Sequence, residues 1–246
     1  MRTTRTITTI ALTLAILSQP ALALAAGTGD DPRPTLDVQT ANTTRVEREF
    51  QAWLSAQGPK LASAAVLDPV ATEPTYFYFY TPTHYQEKSY YCGPASAQII
   101  DDYWGTCATQ ATIAKYLGTT TAGTDFSKVD NAINAYAGQD YAYSGGCATD
   151  SDFVNRVTYG LSTRRHPMVA DLNIHGGSMG NYVYDHPGHI VPLEAYDWRY
   201  GTVRLNDPYD EQSWRSGGGA TGGHRTYSYL QVADALQAHW RQAVVY

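Results

Sequence analysis

Gln86 stands six positions before Cys92 in the stretch Gln86-Glu87-Lys88-Ser89-Tyr90-Tyr91-Cys92-Gly93-Pro94-Ala95-Ser96. Gly93 and Pro94 behind the cysteine mark a helix start, since proline is favoured in a first turn where its missing N–H costs nothing. A thiol attacks as thiolate, and the free N–H groups and partial positive charge of a helix start favour the negative sulfur. The Gln86 side-chain amide, with the backbone N–H of Cys92, then suits the oxyanion of a tetrahedral intermediate. Gly93 would let the backbone approach an acyl group closely. A base is needed next, and His189 in Gly188-His189-Ile190-Val191 supplies an imidazole at the head of an apolar strand. Asp207 in Asn206-Asp207-Pro208 comes eighteen positions later and suits a third group that fixes the tautomer of the ring. Each has a plainer reading: a buried structural cysteine, an exposed histidine, a turn aspartate. His186, His175 and His84 compete for the role of base.

Several elements must hold these groups. After Cys92, the spacing of Ala95, Ile99, Ile100 and Tyr103 predicts a helix ended by Gly105. Further helices are expected over Thr109 to Leu117, over Ser127 to Tyr136 with Ser127 as N-cap, and over Ser151 to Gly160. Strands are expected at Tyr76 to Thr81, Met168 to Asn173, Ile190 to Tyr196, Thr202 to Asn206 and Gln242 to Tyr246. Pro192 suggests an edge position or a bulge. Gly176 to Gly180 is a flap or a connection, and Gly217-Gly218-Gly219 with Gly222-Gly223 reads as a mobile surface loop. Helices first and an antiparallel sheet afterwards make an α+β domain, with Cys92 and His189 in different halves.

The ends set the context. Residues 1–25 carry Arg2 and Arg5, an apolar run from Ile10 to Leu17 and small residues up to Ala25. This is the pattern of a secretory signal cleaved after Ala25, and it is too short to span a bilayer. The expectation is a secreted protein with no membrane anchor after signal removal. Losing the leader moves the formal net charge from -6 to -8. An acidic chain without a basic block is a poor nucleic-acid or anionic-membrane binder. Residues 26–74 read as a flexible arm containing one amphipathic helix, Arg45 to Gln57, that acts as tether, docking arm or pro-segment. The domain proper is 75–246, expected as a monomer. Asn42-Thr43-Thr44 fits a glycosylation sequon. Of the three cysteines, Cys107 and Cys147 are expected to pair as a disulfide, leaving Cys92 free. Three separate thiols are the alternative.

The Gln86 to Ser96 stretch, Thr112 to Thr119 with Gly123-Thr124, Gly188 to Val191 through Ala195-Tyr196-Asp197, and Asn206-Asp207-Pro208 together resemble the papain-like cysteine-peptidase family thirty-nine. That is the family of the double-glycine leader peptidases, and the chain is most similar to its stand-alone exported C39-like branch. The resemblance implies a papain-like fold and peptide-bond cleavage of a peptide or protein substrate. By it, Cys92 is nucleophile, His189 base, Asp207 orienter and Gln86 oxyanion donor, with neither cofactor nor metal. Cleavage after a double glycine is not implied, because the sequence has neither a transporter segment nor a nucleotide-binding motif. Three alternatives stay open: a zinc site from Asp185, His186, His189 and Asp207 or Cys92, a non-catalytic peptide-binding module, and a cell-wall peptide amidase or transpeptidase.

Overall fold

The computed structural model describes residues 41–57 and 73–246. The signal-like leader and most of the expected arm lie outside them. Helix α1 (Ala41–Ala56) begins four residues earlier than its apolar spacing predicts. It buries Val46 and Phe50 against the same core as Tyr159 and Tyr246. Burying two such side chains is worth about 1.5–3 kcal/mol each. Polar ties reinforce the seat: Glu47 pairs with Arg156 at 3.3 Å and Arg45 with Asp140 at 2.7 Å. The Asn42 amide nitrogen donates to Asp140 O and Tyr141 O at 3.0 and 2.6 Å. The sequon nitrogen is therefore engaged in the fold.

Strand β1 (Tyr76–Tyr78) leads into the loop carrying Gln86, and α2 (Cys92–Tyr103) follows. Thr109 caps α3 (Gln110–Leu117), and Gly118 closes it with a left-handed φ of 69°. The next helix differs in its start. Asp125, not Ser127, caps a short 3-10 turn at Phe126–Lys128, accepting from the Ser127 N–H and hydroxyl. Helix α4 (Val129–Ala137) then continues to Gly138. After the two-residue strand β2 (Tyr143–Ser144), a reciprocal Thr149–Asp152 capping box starts α5 (Asp150–Thr158), which ends in a wider turn over Tyr159–Thr163.

The second half holds β3 (Met168–Ile174), β4 (His186–Asp197), β5 (Thr202–Asp207), the short α6 (Glu211–Trp214), β6 (Gly223–Ser228), α7 (Tyr229–Ala238) and β7 (Val244–Val245). The sheet is antiparallel in the order β2-β7-β3-β4-β5-β6, with β1 added against the end of β4. Side-chain alternation feeds two cores. Val169, Ile190 and Val245 face Ile100, Ile113, Phe126 and Ile133 of the Cys92 half. Ala170, Leu172, Val191, Leu193 and Val244 face Phe153, Val232 and Leu236. The result is an α+β fold on the papain-like plan, with the Cys92 helix packed on an antiparallel sheet.

Three local expectations are corrected. Pro192 lies inside the central strand, opposite Val169, and the register break comes beyond it, between Leu193 and Ala195. The buried Glu194 sits at that break. Its carboxylate accepts from Thr81, and it pairs with Arg204 at 2.9 Å and His224 at 2.7 Å. The Gly217 to Gly219 segment is packed rather than loose: a Cβ on Gly218 would strike Glu211 and one on Gly219 the Asn181 carbonyl. Finally, Cys107 and Cys147 are free thiols. Cys147 is buried among apolar side chains, and this burial pushes its pKa up to about 12. Cys107 is exposed just past α2, beside Gln98 and His84.

Candidate active site

Cys92 is the first residue of α2, and Tyr91 before it makes no side-chain cap. The first helical bond is Ala95 N–H to Tyr91 O at 2.9 Å, so the amides of Cys92 and Gly93 precede the ladder. The helix is held to the sheet by Ser96, whose hydroxyl donates to Ile190 O at 2.8 Å. That anchor lies one residue from His189. Gly93 has a use the sequence did not indicate: a Cβ there would meet Thr124 at 2.5–2.8 Å, so the missing side chain lets α2 pack closely on Thr124.

His189 lies four residues into β4 rather than at its head, opposite Leu172 of β3. Its Nε2 donates to Asp207 Oδ1 at 2.7 Å, and both side chains are wholly buried. Asp207 is further fixed by the Tyr209 N–H at 2.7 Å and by the Tyr182 hydroxyl on its other oxygen. With Nε2 committed, Nδ1 is the free ring position, and it is buried without a conventional hydrogen bond. The Cys92 sulfur is the group available to it. Burial alone would push the His189 pKa down, but the Asp207 carboxylate and the Cys92 thiol together raise it to about 10. In the resting geometry the thiol instead points to Gly188 O at 3.9 Å, a long and weak bond. Such contacts commonly tighten only when substrate is present.

Gln86 is buried beside the same helix start. Its backbone N–H donates to Pro208 O at 2.9 Å, which ties it to the residue after Asp207. Its side-chain nitrogen donates to Lys88 O at 2.7 Å, and that carbonyl also accepts the Tyr91 N–H at the turn into α2. One amide hydrogen is thus committed and one remains. The amide oxygen is buried with no partner.

The competing histidines are placed elsewhere. His175 is exposed beside Asp185. His84 pairs with Asp102 at 2.7 Å. His186 binds Glu211 at 2.7 Å, and burial together with the neighbouring His189 pulls its pKa down to about 4. The zinc set is not brought together: Asp185 lies on the surface with His175, and among the described residues the ligand atoms of His186, His189, Asp207 and Cys92 do not gather into one metal-sized group.

Sequence reasoning missed Tyr182 and Glu211 as supports. The Glu211 carboxylate accepts the N–H groups of Val183, Tyr184 and Gly219 as well as His186. These bonds hold its pKa below the ordinary value although burial opposes them. Tyr182 and Tyr209 pack edge-on against both His186 and His189. The Gly176 to Gly180 segment is a packed connection: Met179 is buried in the core, and Gly177 N–H bonds Tyr182 O at 2.8 Å. A shallow hollow of about 630 Å³ lies between this connection and Gly219-Ala220; it is lined by Tyr182 but not by Cys92 or His189.

A crystal structure of a candidate C39-like peptidase from Bacillus anthracis is similar to the chain at 12% identity and a TM-score of 0.42, covering 69% of this chain and 96% of that one. No curated protein matches. The sequence pattern of the Peptidase_C39 like family matches residues 78–240. That match spans Gln86, Cys92, His189 and Asp207 and more than half of the sequence, and the chain belongs to the C39-like peptidase family.

Proposed function

We propose that the protein is a secreted cysteine peptidase that hydrolyses peptide bonds. The observation that carries the reading is the continuous buried arrangement of helix-start thiol, imidazole and carboxylate, with Nδ1 of His189 left for the sulfur. The Cys92 sulfur attacks the carbonyl carbon, and the developing oxyanion meets the Cys92 N–H and the second amide hydrogen of Gln86. The imidazolium of His189 then gives its proton to the leaving amine as the C–N bond breaks. Water attacks the resulting thioester with His189 as base, releasing the acid and restoring the thiol. Asp207 keeps the ring in one tautomer throughout.

A second reading, a non-catalytic peptide-binding module, is favoured by one observation: Cys92 is only 1% exposed and His189 not at all. Incubation with an unstructured protein separates the two. The peptidase reading expects cleavage that disappears in Cys92→Ala, whereas saturable binding without cleavage supports the module. Faster turnover of purified cell-wall peptides than of the unstructured protein would reassign the same residues to a wall amidase.

A further inference from the structure

Away from the Cys92 sulfur, three ligand-type side chains converge around the far end of α2. His84 Nε2 lies 2.7 Å from Asp102 Oδ2 and 4.0 Å from Cys107 Sγ. All three donor atoms fall within 4.8 Å of one another. We propose that His84, Asp102 and Cys107 bind a zinc-type divalent cation, which clamps the segment carrying Gln86 to the C-terminal end of α2. The proposal departs from the sequence expectation of a metal-free protein.

The donor set decides the class of ion. One imidazole nitrogen, one carboxylate oxygen and one thiolate sulfur suit zinc, whereas calcium and magnesium call for oxygen ligands. Tetrahedral zinc with bonds of about 2.0–2.3 Å separates its ligand atoms by about 3.3–3.6 Å. The His84–Asp102 contact must open and the Cys107–His84 contact close, each by about half an ångström, which side-chain rotation supplies. Cys107 is exposed, so the fourth position faces water.

An ordinary surface ion pair would account for His84 and Asp102, but not for what surrounds the sulfur. The Gln98 amide nitrogen is directed at Cys107 Sγ at 3.6 Å and also bonds Ala108 O at 3.0 Å. The Gln98 oxygen accepts from Gln110 at 3.1 Å. Gln110 in turn donates to Tyr85 O at 2.9 Å and accepts the Glu87 N–H at 2.8 Å. This relay runs from the sulfur to the two backbone neighbours of Gln86. An ion held by His84 would fix that segment from its other side. Binding releases the thiol proton, so affinity rises with pH.

Cobalt titration of the full chain in the Cys92→Ala background tests the site apart from catalysis. The expected result is a thiolate-to-cobalt absorption band that saturates at one equivalent, is displaced by zinc and disappears in Cys92→Ala/Cys107→Ser. Cys107 is exposed, so that replacement leaves packing intact. Gln98→Ala should weaken binding about 10- to 100-fold, as loss of a ligand-orienting partner does. Absence of the band, or its survival without Cys107, overturns the proposal.

Discussion

Replacing Asp207 with asparagine removes the charge that sets the state of the imidazole while keeping a group of the same shape. In the native site His189 is raised from 6.5 to about 10, against burial. That shift corresponds to about 5 kcal/mol in favour of the imidazolium. Without the carboxylate the burial effect prevails, and the His189 pKa moves down toward or below its ordinary value. The native pair therefore contributes stability that is fully present below pH 6.5 and is lost as pH rises through about 10. In Asp207→Asn that alkaline loss disappears. Activity should fall by about 10⁴, the cost of a mis-set tautomer in a related serine triad. The assay is an NMR titration of the His189 ring alongside peptide hydrolysis. A native ring that titrates near 6.5, or one unmoved by Asp207→Asn, refutes the reasoning.

Other outcomes follow from neighbouring groups. Gly93→Ala should destabilise by about 1–3 kcal/mol through its clash with Thr124, read by chemical denaturation, and Thr124→Gly should recover part of the loss. Gln86→Ala should lower kcat by about 10²–10³ with little change in KM, if its amide meets the oxyanion. His186 is held down at about 4, so the fold should lose about 3 kcal/mol as pH falls from 6.5 to 4, and His186→Gln should flatten that limb. The Asp101 carboxylate is buried without a hydrogen-bond partner and burial raises its pKa to about 8, which costs stability as pH rises above its ordinary value. Asp101→Asn should therefore raise Tm most at pH 9, less at pH 5 and little near pH 3.5.

The helices of the first half were legible because their apolar spacing coincides with strong stops: Gly105, Gly118 and Gly138 all take positive φ where the elements end. Strands β3, β4 and β5 were legible from apolar runs, though His186 and Gly188 at the start of β4 carry no strand preference and hid its true beginning. Strand β6 and helix α7 were missed. Gly222-Gly223 suggested a loop, yet these glycines serve close packing against Asp210 and Tyr85. Val232, Ala233 and Leu236 at helical spacing were the available signal for α7. The supports of the site left no local trace, because Tyr182 and Asp207, or His186 and Glu211, meet across twenty-five positions of chain. The disulfide expectation failed for a related reason: counting cysteines says nothing about Cys147 lying in the core while Cys107 faces His84.

The most direct measurement is the alkylation rate of Cys92 relative to Cys107 in one sample at pH 6 with a chelator present, followed by mass spectrometry. Cys107 is exposed and Cys92 is buried, so access alone favours Cys107. Activation by His189 predicts that Cys92 is labelled faster, and that this advantage vanishes in His189→Ala. Labelling of Cys107 while Cys92 stays unmodified, or equal rates in native and His189→Ala protein, would contradict a thiol nucleophile at the head of α2.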